Sequence, residues 1–241
     1  MPQFKSGLDS FVITVKESKL LGGFYRGDGN GLRPTAILLH GVPGVEKNMD
    51  LVYALREAGW NTLYFHYRGS WGSGGNYNLL EHGEDIQVAL NWVLQQPSVD
   101  KNRLMLIGSS IGGYNTLIHG AADQRFKYLV SLCPLIDPKE AVLSEKIFSQ
   151  FASMLHGVTA AQLQTQWLRL TPATAITQQL NKRNLLLITG NQDEAFPPKH
   201  YVAFGKSLDT MTWIRKEDAD HQFSTCRPWL RETILSWIKN V

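Results

Sequence analysis

Residues 103–113 read Arg-Leu-Met-Leu-Ile-Gly-Ser-Ser-Ile-Gly-Gly. Arg103 to Ile107 form a short apolar strand of the buried type, and Ile111 to Ala122 can be helical once Gly112 and Gly113 are passed. Between them lies Gly108-x-Ser110-x-Gly112, the sharp turn that lifts a serine hydroxyl out of a sheet as a nucleophile. With 21 glycines in the chain, the pentapeptide alone arises by chance with a probability of roughly 0.1. Its setting between a strand and a helix carries the inference. Ser109 is the nearest rival, but it occupies the variable position of the motif and is expected to turn away.

On the N-terminal side, Val12 to Lys16 and Leu20 to Tyr25 read as two strands joined by a tight turn. Gly27 to Gly31 is a loop, and Thr35 to Leu39 a third strand. A helix (Asp50 to Ala58), a strand (Thr62 to His66), a Gly-rich loop and a helix (Leu80 to Leu94) lead to the nucleophile strand. Further strands at Tyr128 to Leu132, Asn184 to Ile188 and Met211 to Arg215 are each followed by a loop and a helical pattern, the last over Pro228 to Lys239. The alternation predicts an α/β fold of about eight mostly parallel strands with helices on both faces.

In such a sheet, ligands bind beyond the carboxyl ends of the strands. After Leu39 comes His40-Gly41-Val42-Pro43-Gly44, a glycine turn able to aim a backbone N–H at the same point as the amide of Ile111. Two such donors hold the negative oxygen of a tetrahedral intermediate, and losing one typically costs about 3 kcal/mol of barrier. After Ile188 comes Thr189-Gly190-Asn191-Gln192-Asp193, and after Arg215 comes Asp218-Ala219-Asp220-His221-Gln222-Phe223. A serine hydroxyl is protonated at neutral pH and needs a base, and the imidazole of His221 can take that proton and return it to a leaving group. A carboxylate at Asp193 would fix the imidazole tautomer. Asp137 and Glu194 are alternative acids, whereas Asp218 and Asp220 are better suited to shaping their own loop.

The rest of the composition narrows the class. No linker, repeat or charge block divides the 241 residues, so one domain spanning 1–241 is expected. The net charge of +3, with both signs interspersed, gives no reason to expect a nucleic-acid or membrane partner. Neither a signal-type apolar segment nor a run of eighteen apolar residues occurs, which predicts a soluble, cytoplasmic protein. Cys133 and Cys226 read as ordinary thiols. No Cys/His cluster has zinc spacing and no phosphate-binding glycine pattern follows a strand, so neither a metal nor a cofactor is expected.

The order of elements, the His40-Gly41 turn, the Gly108 to Gly112 elbow, the Gly190-x-x-Asp193 loop and the Ala219-Asp220-His221 segment together resemble the α/β-hydrolase superfamily. Tyr67-Arg68-Gly69-Ser70-Trp71-Gly72-Ser73-Gly74-Gly75 and Ala219 to Ser224 are similar to the branch with cinnamoyl or feruloyl esterases and the catalytic domains of prolyl oligopeptidase-like proteins. Dienelactone hydrolases would show Cys, and dehalogenases and epoxide hydrolases Asp, where this chain has Ser110. The resemblance implies an α/β-hydrolase fold with a Ser110, Asp193, His221 triad and an oxyanion hole from the Val42 and Ile111 amides. It implies a carboxylic ester hydrolase working through an acyl-enzyme on a small-molecule ester. The alternatives are a compact serine peptidase or aminopeptidase and a binding protein without turnover.

Other residues carry weaker signals. Trp71 is a candidate for lining the acyl pocket, with loop packing as its alternative. His40 is expected to make structural hydrogen bonds, and Arg68 to tie its turn to backbone carbonyls. The segment from Pro138 to Ala175 is longer than a crossover helix needs and predicts a small helical cap. Ala141, Val142, Ile147, Phe148, Phe151, Met154 and Leu155 recur at near-helical spacing, and Leu163, Trp167 and Leu170 mark a second helix. A minority of these would face the pocket mouth and discriminate substrates.

Overall fold

The computed structural model describes residues 3–141 and 143–240, so Val142 of the expected cap helix lies outside the described residues. The strands are β1 (Gln3–Phe4), β2 (Gly7–Val15), β3 (Ser18–Arg26), β4 (Gly29–Asn30), β5 (Arg33–Leu39), β6 (Asn61–Phe65), β7 (Val99–Ser109), β8 (Phe126–Leu132), β9 (Asn184–Gly190) and β10 (Thr212–Lys216). The helices are α1 (Met49–Glu57), α2 (His82–Val93), α3 (Ile111–Ala122), α4 (Glu145–Ser153), α5 (Ala160–Leu168), α6 (Thr177–Leu180), α7 (Lys199–Lys206) and α8 (Arg227–Lys239).

Eight strands form one sheet in the order β10-β9-β8-β7-β5-β6-β3-β2. β3 runs antiparallel to both β2 and β6, and the remaining pairs are parallel. This is an α/β-hydrolase architecture with the α4–α5 helices as an insertion between β8 and β9. Parallel strands covered on both faces read as continuous apolar runs, and the run from Leu104 to Ile107 does so because its residues alternate between two cores. Leu104 and Leu106 join α2 and α3 residues such as Ile86, Leu90 and Leu117 on one face. Met105 and Ile107 join Leu51, Leu55, Leu230 and Ile234 of α1 and α8 on the other. Burying one such side chain is worth about 1.5–3 kcal/mol.

β5 sits between β6 and β7, so the chain leaves β5 to one side and returns on the other. That switch opens a crevice at the carboxyl ends of β5 and β7. Their register sets Leu39 opposite Gly108, which brings His40-Gly41 and Ser109-Ser110 out of the sheet side by side.

Two local features depart from the sequence reading. The Gly27 to Gly31 loop contains β4, which pairs antiparallel with β1. β7 begins at Val99 rather than Arg103, with an irregularity between the Arg33–Val99 and Thr35–Leu104 pairs. There Asp100 accepts from the Asn102 backbone N–H (3.0 Å) and Arg103 Nε (2.6 Å), so a polar bulge interrupts the apolar run that marks the strand. No helix among the described residues is long and apolar enough to cross a membrane.

Candidate active site

Ser110 stands between β7 and α3 with φ 57° and ψ −120°, a strained conformation for a residue with a side chain. The surroundings hold it there. Ser110 N–H donates to the Leu132 carbonyl (2.9 Å), and its own carbonyl accepts from Tyr114 N–H (2.9 Å). A Cβ on Gly108 would lie 2.2 Å from the Gly112 carbonyl oxygen, and one on Gly112 would lie 2.1 Å from the Leu39 oxygen. Both glycines are therefore required by backbone packing.

Val42 and Ile111 border the same cavity as Ser110. Neither of their N–H groups is spent on a protein acceptor among the described residues, and Ile111 is the first residue of α3, where the helix leaves its amides free. The Val42 loop is fixed from behind. His40 is buried, its Nδ1–H donating to the Gly41 carbonyl (2.7 Å) and its Nε2 accepting from Tyr67 N–H (3.4 Å). A carbonyl only accepts and an amide only donates, so this pair of bonds sets the tautomer. Burial pushes the imidazole pKa down to about 4.

Asp193 follows β9, and its side chain is fully buried. One carboxylate oxygen accepts from the Ala195 (2.9 Å) and Phe196 (2.8 Å) N–H groups, and the other meets His221 Nδ1 at 2.8 Å. The carboxylate is thus locked by backbone donors on one oxygen, and the other is left to the histidine. His221 packs edge-on against Phe196, with ring centroids 5.2 Å apart. Ser110, His221 and Phe196 all line a cavity of about 230 Å³. No Ser110–His221 hydrogen bond is present among the described residues, and such bonds commonly tighten only with substrate bound.

Cys133 adds an unexpected neighbour. It follows β8 at φ 39° and is fully buried, and its sulfur, an Asp193 oxygen and a His221 nitrogen lie within 4.8 Å of one another. Burial and the nearby Asp193 carboxylate push the thiol pKa well up, which keeps it protonated. Three such donors can in principle take a metal. However, the 2.8 Å separation of Nδ1 and the carboxylate oxygen is a hydrogen-bond distance, shorter than the roughly 3.3 Å between two ligands of a tetrahedral ion.

A sequence model described as the prolyl oligopeptidase family, of the peptidase S9 group, matches residues 48–241. The chain belongs to the prolyl oligopeptidase family. An uncharacterized 31.7 kDa protein of the traX-finO intergenic region of Escherichia coli is 35% identical over 133 residues, covering 53% of this chain and 46% of that one. The matched stretch thus spans about half the length of that relative. The α/β hydrolase GrgF from Penicillium sp. sh18 superposes with a TM-score of 0.80 at 15% identity, over 97% of this chain and 98% of that one. Est1E from Butyrivibrio proteoclasticus, solved with ferulic acid bound, gives 0.79 at 18% identity over 95% and 98%. At these identities the likeness is one of fold.

Within this family fold, the remaining sequence candidates fall as follows. Asp137 lies outside the cavity, its carboxylate accepting from Lys139 N–H (2.8 Å), and Glu194 is exposed. Asp220 accepts from the Gln222 and Ser224 amides and Asp218 pairs with Lys216, so both shape their own loop. Trp71 is not on the cavity wall. Its Nε1–H donates to the Pro43 carbonyl (2.9 Å), with Lys47 Nζ 4.9 Å above the ring and 45% of the residue exposed. Arg68 is tied to carboxylates more than to carbonyls, bonding Asp85 (2.6 Å), Glu84 (2.9 Å) and Glu81 (2.8 Å). From the cap, Leu143, Phe151 and Trp167 reach the cavity, while Phe148 packs edge-on against Trp167 from behind.

Proposed function

We propose that the protein is a serine hydrolase of carboxylic esters. Ser110, deprotonated by His221, attacks the ester carbonyl, and the oxyanion is held by the Val42 and Ile111 amides. His221 returns the proton to the departing alcohol, and water, activated by the same imidazole, then releases the acid from Ser110. Asp193 keeps the Nδ1 proton in place and stabilises the imidazolium. The observation that carries this reading is the backbone-locked Asp193–His221 pair, 2.8 Å apart, on a cavity whose wall also holds Ser110 at a strained elbow. The chemistry needs no resident metal or cofactor.

The cavity suits a small acyl group. Its apolar walls include Val42, Leu143, Phe151, Trp167 and Phe196, and apolar walls of this kind recognise alkyl or aromatic acids. An aromatic, cinnamoyl-type acid fits this lining, and ferulic acid is bound by Est1E. Peptide or aminoacyl substrates are the second reading, favoured by the prolyl oligopeptidase family match and by Glu46 on the cavity wall, a carboxylate able to meet an amine. We place the activity in the cytoplasm, where two free, buried thiols are at home, and subcellular fractionation tests that.

A fluorophosphonate probe with intact-mass and peptide mapping tests the mechanism, and Ser110→Ala is the control. Stoichiometric labelling of Ser110 supports it, followed by acetyl, butyryl, feruloyl and aminoacyl substrates to rank ester against amide. A folded protein that takes no label, or a Ser110→Ala variant with full turnover, overturns it and favours a binding role.

A further inference from the structure

The Val42 loop, the Ser110 elbow and the His221 turn come from distant parts of the chain, yet one polar chain joins all three. Asn48, buried at the end of the first loop, donates from Nδ2 to Ser109 Oγ (3.0 Å), and its Oδ1 accepts from Arg227 Nη2 (2.9 Å). Arg227 Nη1 donates to the carbonyl of Gln222, the neighbour of His221, at 3.0 Å. Its Nε donates to Asp50 (3.0 Å) and its Nη2 also pairs with that carboxylate. The amide of Asn48 has one possible orientation. A guanidinium carries donors only, so Oδ1 must face Arg227 and Nδ2 is left for Ser109.

Each member forgoes what its own position rewards. Asn48 precedes α1, where an Asn side chain ordinarily caps the first free amides, but it is left-handed (φ 52°) and makes no cap bond. Arg227 opens α8, the positive end of a helix, where a cation is unfavourable. Two local preferences surrendered to one network indicate that the network itself is what the sequence maintains.

We propose that Asn48 and Arg227 are positioning residues that hold the Val42, Ser110 and His221 segments in mutual register for acyl transfer. They act through Ser109 and Gln222, each one residue from a proposed catalytic group, and do not touch the reacting atoms. The proposal rests on the serine-hydrolase reading above.

The test is the rate at which a fluorophosphonate labels Ser110 in the full chain, per folded molecule, with kcat and KM on p-nitrophenyl acetate. Asn48→Ala and Arg227→Met are expected to slow labelling and lower kcat on the order of 10- to 100-fold, with KM within about threefold, as misplacement by a fraction of an ångström does. Asn48→Asp keeps an acceptor for Arg227 and can accept the Ser109 hydroxyl, so it recovers most of the rate. Arg227→Lys lacks the fork and does not. The double variant is expected to be no slower than the worse single one, the sign of a shared network. Should Asn48→Ala fail to fold, Ser109→Ala removes only one link and is expected to slow labelling several-fold. Wild-type labelling rates in folded variants overturn the positioning role alone, because a merely structural role lowers melting temperature without altering the rate per folded site. A wild-type protein that takes no label overturns the hydrolase reading, and this proposal with it.

Discussion

Two regions face each other across the cavity and meet it through different forces. The loops after β5, β7 and β9 are fixed by directional bonds: the Ser110 and Phe196 amides, the His40 ring and the Asp193 carboxylate each have defined partners. The α4–α5 insertion is tied at its base by directional bonds of its own, from His156 to the backbone of Gly69, Gly75 and Tyr77 and from Leu79 N–H to Gln166 Oε1 (3.0 Å), but the side chains it presents to the cavity, Leu143, Phe151 and Trp167, meet it through apolar packing. Hydrogen bonds lose strength steeply with misalignment, whereas dispersion contacts tolerate a change of shape. Reaction geometry is therefore expected to reside in the strand ends and substrate choice in the insertion.

The largest effect that tests this division is Asp193→Asn. The Ala195 and Phe196 amides demand an acceptor, so the asparagine would place its carbonyl oxygen there and turn its NH₂ toward His221 Nδ1. The imidazole would then carry its proton on Nε2 and have no lone pair for Ser110. A fall of about 10⁴-fold in kcat with a near-normal melting temperature is expected. Asp137→Asn is expected to stay near wild type, and the reverse result would move the acid to Asp137.

Phe151→Ala tests the other side. Removing the ring enlarges the proposed acyl site without touching a directional bond, so kcat/KM for octanoyl relative to acetyl esters is expected to rise on the order of tenfold, while fluorophosphonate labelling changes little. A large loss of labelling would show that the insertion also shapes the reacting geometry. A smaller effect belongs to Trp71→Phe, which removes one donor from the Pro43 carbonyl behind the Val42 loop. A drop in kcat of roughly twofold to tenfold at constant KM is expected. A change confined to KM would mean that Trp71 contacts substrate instead.

The same division explains what the sequence made legible. The succession of strands and helices follows from the apolar periodicity, and the elbow and the candidates Ser110, Asp193, His221, Val42 and Ile111 follow from one rule about strand ends, since each sits within a few positions of its strand. Trp71 could not be placed in this way, because whether a loop aromatic faces a cavity or braces the loop depends on the turn around it. The apolar spacing in 138–175 located two helices but not the face that reaches the cavity. Phe196 carried only a faint signal, an aromatic three residues beyond an acid after a strand. Asn48 and Arg227 carried none, since their meaning arises from a contact between residues 179 apart.

Acidification tests the contrast without changing a residue, and its kinetic effect is expected to be the smallest. His40 and His66 lie behind the Val42 loop and are kept neutral by burial, their pKa values lowered to about 4 and about 3. His82, buried against Tyr67, is lowered well below the usual range, and the half-buried His119 to about 4. The unfolded chain binds protons at these groups from about pH 6.5 downward, while the folded chain does not until near pH 4. Stability is thus fully present above pH 6.5 and is lost as pH falls toward 4, with a slope of at most about 1.4 kcal/mol per pH unit for each group. A melting temperature lower by a few degrees at pH 6 than at pH 7.5 is expected. A flat or rising melting temperature would mean that these imidazoles are already charged in the folded chain. Hydrogen exchange locates the loss: His40 and His66 brace residues 40–48 and 66–73, so those amides are expected to lose protection on acidification before α4 and α5 do. Loss in the insertion first would reverse the assignment of which region the buried imidazoles hold together.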